Sequence, residues 1–115
     1  MNTKVYCDSG LDNYCIVHDD VALLCKHNTK VTVNEGEYIA ILEALQLSWL
    51  MPITILSDSQ LVVNQVLGTY KCNYLRLREY RDKVRKLLEK SKSTIQWIPR
   101  EENKAGIILE GRKNK

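Results

Sequence analysis

Several features that would place a chain outside the soluble single-domain class are missing from these 115 residues. No apolar run approaches the roughly 18 residues of a membrane span, and the start Met1-Asn2-Thr3-Lys4 lacks a secretory signal pattern. There are no internal repeats and no Pro/Ser-rich linker. We therefore expect one cytoplasmic, monomeric domain over residues 1–115, with a frayed tail at about 111–115.

Metal-binding cysteine spacing is also absent. The four cysteines, Cys7, Cys15, Cys25 and Cys72, form no CxxC pair and no Cys/His ligand pattern. Three of them fall in strand-like apolar runs. We expect buried, reduced thiols rather than a zinc site or a disulfide framework.

Charge is distributed unevenly along the chain. Residues 1–70 carry eight acidic and three basic residues, whereas residues 71–92 carry nine basic and three acidic ones. A solvated helix face is one explanation of such a basic run. An acidic half that binds cations beside a basic helix is the other, and it would suit a polyanionic substrate.

The apolar periodicity predicts strands alternating with helices. Strands are expected at 4–7, 14–19, 21–26, 53–57 and 93–98, and helices at about 34–51, 58–67, 74–91 and 103–110. Asn34 is a good N-cap for the first helix, and Glu37 stands at its capping-box position. The apolar stripe of that helix consists of Tyr38, Ile41, Leu42, Leu45 and Trp49.

This order places acidic residues where strands and a helix begin or end. Strands joined by helices pair in parallel through right-handed crossovers, and ligands of open sheets bind at the carboxyl ends of strands where the strand order reverses. If the first strand is central, Asp8 and Asp58 face the same small volume, with Glu37 in the first turn of the helix nearby. Individually, Asp8 could be a turn residue, Asp58 a helix N-terminal acid and Glu37 a capping partner.

Together the three carboxylates would suit two divalent ions. Magnesium prefers octahedral oxygen ligands, and two ions about 3.5–4 Å apart can promote phosphodiester cleavage. Asp8, on the central strand, would bridge both ions. Asp58 would complete the shell of one ion and Glu37 that of the other.

The chain resembles ribonuclease H of the type 1 class, in its compact form without the basic protrusion. The matching segments, in family order, are Tyr6-Cys7-Asp8-Ser9-Gly10, Asn34-Glu35-Gly36-Glu37-Tyr38, Ser57-Asp58-Ser59-Gln60-Leu61-Val62, Gly68-Thr69-Tyr70-Lys71 and Trp97-Ile98-Pro99-Arg100-Glu101-Glu102-Asn103-Lys104-Ala105. The resemblance implies an α/β fold: a five-stranded mixed sheet of order 3-2-1-4-5, strands 1–3 antiparallel, flanked by helices.

The resemblance also implies an activity. Members hydrolyse the RNA strand of RNA–DNA hybrids endonucleolytically with two Mg²⁺ or Mn²⁺ ions, leaving 5′-phosphate products. On this chain it implies catalytic metal-ligand roles for Asp8, Glu37 and Asp58.

The same resemblance implies how the hybrid is held. Asn34 and Gln60 match positions that contact its minor groove, where 2′-hydroxyls are displayed. Thr32 matches a position that holds a DNA-strand phosphate. Lys71 and the basic helix after it would add sequence-independent phosphate contacts.

Two departures from the family pattern affect the expected activity. The family usually has Asp-Gly after its first strand, but here Ser9 separates Asp8 from Gly10. The family's Asn-x-x-Ala-Asp ends here as Asn103-Lys104-Ala105-Gly106, so Gly106 replaces the fourth carboxylate.

Compensation is the hypothesis for this loss: Glu110, four residues after Gly106, could serve as a surrogate ligand, or Glu101, Glu102 or Asn103 could reach in from the loop. We expect weak or Mn²⁺-dependent cleavage. One alternative is a catalytically inactive hybrid- or duplex-binding module. The other is a different nuclease or transferase on the same fold. His18 and His27 are expected to be ordinary strand residues, not the mobile histidine of many members.

Overall fold

The computed structural model describes residues 3–47 and 51–111, so the predictions for Trp49 and for 112–115 lie outside the described residues. Within these ranges, five strands form one sheet. The strands are β1 (Thr3–Ser9), β2 (Asn13–His18), β3 (Val21–Lys26), β4 (Ile53–Ser57) and β5 (Thr94–Trp97). The α-helices are α1 (Val33–Leu47), α2 (Gln60–Leu67), α3 (Leu75–Ser91) and α4 (Lys104–Glu110), and a 3-10 turn covers Arg100–Glu102.

The sheet has the predicted order, β3-β2-β1-β4-β5. β1 pairs antiparallel with β2 and parallel with β4, so that Cys7 lies opposite both Ile16 and Ser57. β2–β3 is antiparallel and β4–β5 parallel. The predicted fold class is therefore confirmed, and the switch in strand order falls beside β1.

Helices cover both faces of the sheet. The larger core cluster joins β1, β2 and β4 to α1, α2 and α3, and includes Tyr38, Ile41 and Leu45 of the predicted apolar stripe. α4 packs on the opposite face, where Ala105 and Leu109 meet Cys15 and Val17. No helix in the described ranges is long and apolar enough to cross a membrane.

The predicted capping box of α1 is wrong by two residues. The Thr32 amide donates to Glu35 Oε1 (2.9 Å), and the Glu35 amide donates to Thr32 Oγ1 (3.2 Å). This is the reciprocal Ser/Thr-x-x-Glu arrangement. Because Glu35 satisfies the helix start, the Glu37 side chain is not needed there.

Other boundaries also differ from the prediction. β1 continues through Asp8, so Asp8 is a strand residue and not a turn residue. α2 starts after Asp58, because Ser59 is its N-cap and accepts a hydrogen bond from the Val62 amide. Gly68 closes α2 with φ 90°, as predicted.

The four cysteines are unpaired in the structure; Cys7, Cys15 and Cys72 are buried, as predicted, and Cys25 is only partly buried. His18 lies in β2, as expected. His27 follows β3 instead of lying within it, and it packs against the ring of Tyr14 with centroids 5.0 Å apart.

Candidate metal centre

Three carboxylates from separate elements meet at the carboxyl edge of the sheet. Asp8 lies near the end of β1, Asp58 directly after β4, and Glu37 near the start of α1. One oxygen from each lies within 4.8 Å of the others. The parallel β1–β4 pairing places the two aspartates side by side, and α1 brings the Glu37 carboxylate to them.

The close approach of these groups disfavours their charged forms. Burial, followed by the negative charges of Asp8 and Asp58, raises the pKa of Glu37 to about 9. Burial and then the charge of Asp58 raise the pKa of Asp8 to about 6. Burial also raises the pKa of Asp58. Without a counter-ion, Glu37 therefore keeps its proton at neutral pH.

One oxygen in the centre needs a partner. Among the described residues, Glu37 Oε1 is buried without a hydrogen-bond donor. Buried polar atoms are nearly always paired, and three carboxylates are the donor set that hard divalent cations prefer. The residues therefore fit Mg²⁺ or Mn²⁺.

Asp58 is held from two sides. The fully buried Asn103 donates from Nδ2 to the Cys7 carbonyl (2.9 Å) and to Asp58 Oδ2 (3.3 Å), and its Oδ1 caps α4 at the Ala105 amide. The Trp97 indole donates to the Asp58 carbonyl (3.1 Å). The sequence predicted that Asn103 could reach into the site, and the structure places it there as a hydrogen-bond donor to Asp58. The role of Trp97 was not predicted.

Gly106 faces the carboxylates. A Cβ on Gly106 would lie 2.9 Å from Asp8 Oδ2 and 3.7 Å from Asp58 Oδ2. Counted strictly from Asn103, however, the aspartate of Asn-x-x-Ala-Asp falls on position 107. Ile107 stands there and is 47% exposed. For the missing fourth carboxylate, the motif spacing therefore points to position 107 of α4, whereas the geometry points to position 106.

Glu110 is engaged elsewhere. It forms an ion pair with Arg100 and is not one of the three residues whose oxygens converge. Its negative charge nevertheless contributes to raising the pKa of Asp8 and of Asp58. Its role as a surrogate ligand remains a prediction.

A tight contact fixes the distance between β1 and α1. Ser9 Oγ lies 2.9 Å from His27 Nε2, and a Cβ on Gly36 would lie 2.3 Å from Ser9 Oγ. Only glycine at position 36 permits this approach. Since Ser9 follows Asp8 and Gly36 precedes Glu37, the contact sets the separation of two of the carboxylates. Nothing in the sequence pattern had indicated His27.

We expect Gly36→Ala to weaken Mn²⁺ binding about tenfold, because the added methyl group pushes α1 away from β1. Ser9→Gly in the same chain should restore most of the affinity by removing the atom that clashes. Isothermal titration of Mn²⁺ into the single and double variants measures both effects. Equal affinity in Gly36→Ala and the unmodified protein would contradict this explanation.

The four residues predicted to contact nucleic acid lie at the starts of α1 and α2 and in the segment before α3. Asn34 lies one turn before Glu37 in α1, and Thr32 is in the capping box just ahead of it. Gln60 is the exposed first residue of α2, and the exposed Lys71 lies between α2 and α3. Arg76 of α3 binds Glu35 at 3.0 Å, next to Thr32.

Comparison with known proteins agrees with this fold. The family model described as reverse transcriptase-like matches residues 8–109. RNase H1 from the halophilic archaeon Halobacterium salinarum is 25% identical, with full coverage of both chains and a TM-score of 0.79. The two chains share the ribonuclease H-like fold.

Two further structures share the fold at lower identity. LC11-RNase H1, crystallised in complex with an RNA/DNA hybrid, is 23% identical over 90% of this chain and 89% of its own, with a TM-score of 0.71. An N-terminal RNase H domain from Mycobacterium tuberculosis is 18% identical, covering 99% of this chain and 100% of its own, with a TM-score of 0.69.

Proposed function

The chain belongs to the reverse transcriptase-like family, and from this we propose that it hydrolyses the RNA strand of RNA–DNA hybrids endonucleolytically, using two divalent ions. The observation that carries the proposal is the convergence of three carboxylate oxygens within 4.8 Å at the carboxyl edge of a ribonuclease H-like sheet. The hybrid in the LC11-RNase H1 crystals supports the same substrate for a chain of this fold.

The roles of the three carboxylates follow from their places in the fold. Asp8, on the central strand, would be shared by both ions, while Asp58 and Glu37 would each bind one. Bound Mg²⁺ or Mn²⁺ would supply Lewis-acid activation of water and stabilisation of the leaving oxygen. Asn103 and Trp97 keep the Asp58 side chain and backbone in place for this.

Polar residues beside the centre would hold the substrate. Asn34 lies in the first turn of α1, three residues before Glu37, and Gln60 begins α2, two residues after Asp58; they would contact the 2′-hydroxyls in a wide minor groove. Thr32 and Lys71, with the basic face of α3, would bind phosphates regardless of sequence. We propose that Thr32 acts on the DNA strand.

A cleavage assay tests this function. A labelled RNA–DNA hybrid is incubated with Mg²⁺ or Mn²⁺, with duplex DNA and duplex RNA of the same sequence as controls. We expect 5′-phosphate RNA fragments from the hybrid alone, and none with Asp58→Asn. Binding of the hybrid without cleavage in either metal would refute the enzymatic proposal.

Binding without catalysis is the second candidate function. Two observations favour it: no carboxylate stands at Gly106, and Glu110 is paired with Arg100. Such a module would bind hybrid or duplex through the same residues without hydrolysing it. The assay above separates the two functions.

We expect Gly106→Asp to raise the rate in Mg²⁺ by about tenfold, because an added carboxylate beside Asp8 supplies a missing ligand. Asp8 must shift slightly to admit the new Cβ, which would lie 2.9 Å from its Oδ2. Steady-state rates across Mg²⁺ and Mn²⁺ titrations measure the effect.

Two matched variants test whether the increase requires a negative charge, and whether it requires that charge at position 106. Gly106→Asn adds the same bulk without charge and should give no increase. Ile107→Asp tests the position reached by motif spacing, and it should do less than Gly106→Asp because Ile107 is half-exposed. A larger gain from Ile107→Asp would show that α4 places the fourth ligand one residue later.

A further inference from the structure

The outer edge of the sheet is apolar on both faces. β3 is the terminal strand of the sheet, and Val21, Leu23 and Leu24 are 70%, 40% and 56% exposed. Leu23 pairs with Ile16, which belongs to the α1-facing cluster, and Leu24 pairs with Cys15, which packs with α4. Opposed residues share a face, so β3 exposes apolar side chains on the two sides of the sheet.

This edge also lacks the usual protection against strand pairing. Natural edge strands are short, bulged, covered or charged. β3 pairs with β2 in unbroken register over six residues, and its first five residues, Val21 to Cys25, carry no charge. The opposite edge, β5, has only four residues and places Thr94 and Gln96 on one face. The two edges are therefore not equivalent.

The charges at the two ends of β3 are opposite in sign. Asp19 and Asp20 form the turn before it, with side chains 78% and 85% exposed, although Asp20 also pairs with Lys104 at 3.2 Å and Asp19 lies 3.5 Å from His18. The exposed Lys26 ends the strand. Two copies of β3 running antiparallel would bring the acidic end of each next to the basic end of the other. A parallel arrangement would bring like charges together.

From these observations we propose that β3 is a homodimerisation edge, at which two copies of the chain join their sheets antiparallel about a two-fold axis. Apolar exposure on both faces favours a strand as the partner, because a helix would cover only one face. A two-fold contact also closes on itself, whereas a head-to-tail contact would build fibres.

The alternation of side chains between the two faces of a strand restricts which residues of the two β3 strands can lie opposite each other. Directly opposed residues must lie on the same face, so an axis through Leu23 places the two Leu23 side chains opposite each other. This register sets Val21 against Cys25, Ala22 against Leu24 and Asp20 against Lys26 of the second copy. Two six-residue strands bury less than a standard interface, so we expect dissociation constants of roughly 10–100 µM.

Sedimentation equilibrium under reducing conditions tests the proposal over 5–500 µM protein. We expect a reversible monomer–dimer equilibrium, weakened at least tenfold by Leu23→Lys. Leu67→Lys, at an exposed apolar residue of α2, is the control and should leave the equilibrium unchanged. If Leu23→Lys fails to fold by circular dichroism, Leu24→Lys replaces it.

Two further variants test orientation and register. Lys26→Glu should weaken the dimer, and adding Asp20→Lys should restore it. Under mild oxidation Leu23→Cys should form a cross-linked dimer and Leu24→Cys should not. A wild-type monomer at 500 µM, growth beyond the dimer, equal weakening by Leu67→Lys, or cross-linking through position 24 only would each overturn the proposal. None of these outcomes depends on nuclease activity.

Discussion

Replacing Glu37 with glutamine is expected to stabilise the metal-free protein at pH 8 while abolishing metal-dependent cleavage. Burial and the charges of Asp8 and Asp58 raise the pKa of Glu37 to about 9, so folding at pH 8 requires an ionised carboxyl to take up a proton. Glutamine is neutral in both states and avoids this cost. We expect a gain on the order of 2 kcal/mol and a melting temperature higher by roughly 10 °C.

The loss of function in the same variant has a separate cause. Glutamine offers a weaker donor to a divalent ion and leaves the site one negative charge short. We expect cleavage in Mg²⁺ to fall at least about 100-fold, which corresponds to a few kcal/mol of lost stabilisation. Stability and activity should therefore move in opposite directions.

Glu35→Gln is the matched control, two residues earlier on the same helix. Hydrogen bonds from the Thr32 amide and Arg76 lower the pKa of Glu35, the reverse of the shift at Glu37. Glutamine can still accept the Thr32 amide hydrogen bond, but it loses the ion pair with Arg76 and the negative charge at the start of α1, so we expect a loss of about 1 kcal/mol. Thermal melts in EDTA with parallel cleavage rates measure both variants. A destabilised Glu37→Gln would contradict the electrostatic description of the site.

The stability of the unmodified, metal-free protein is expected to fall as pH rises from about 5 to 9. The raised pKa values of Asp8, about 6, and Glu37, about 9, mean that the folded state binds more protons than the unfolded state in this range. The slope of the unfolding free energy with pH is then negative. The contribution of Asp8 is exhausted near pH 6, and that of Glu37 continues to about pH 9.

Divalent ions should cancel this trend. Ions bind the deprotonated carboxylates, so their stabilisation grows with pH. At a hundredfold excess over the dissociation constant, Mn²⁺ adds about 2.7 kcal/mol.

Melting curves at pH 5, 6, 7, 8 and 9, with EDTA or Mn²⁺ at constant ionic strength, test both statements. Glu37→Gln should flatten the EDTA series above pH 6, which assigns the slope to this residue. An equal Mn²⁺ effect at pH 5 and pH 8 would count against a metal site made of these carboxylates.

Much of the fold follows from local patterns in the sequence. The 3.6-residue stripe of α1, the β-branched run of β4 and Gly68 at the end of α2 each specify an element through its own neighbours. The strand order came from the resemblance to ribonuclease H, because crossover handedness and the hairpin that joins β2 to β3 do not by themselves make β1 the central strand. Given a central β1, the rule that ligands bind at the carboxyl ends of strands places Asp8 and Asp58 at one edge.

The feature that was predicted wrongly is one for which the sequence offers two similar patterns, of which the structure forms one. Thr32–Glu35 and Asn34–Glu37 both have capping spacing, and the structure forms only the first pair. Spacing could not decide between them, because the helix start depends on how the preceding loop packs. The Arg76 contact that further engages Glu35 comes from α3, 41 residues later.

The sequence alone determined the elements and their order along the chain, since apolar period and helix caps act over short ranges. With β1 taken as the central strand, it also placed the acidic residues at the sheet edge. Only the tertiary structure decided which groups touch. It brings Gly106 against Asp8, Gly36 against Ser9 and Arg100 against Glu110. It also leaves β3 exposed on both faces. Such contacts join residues far apart in the chain. Their distances depend on the packing of the whole molecule, because each contact must be compatible with all the others.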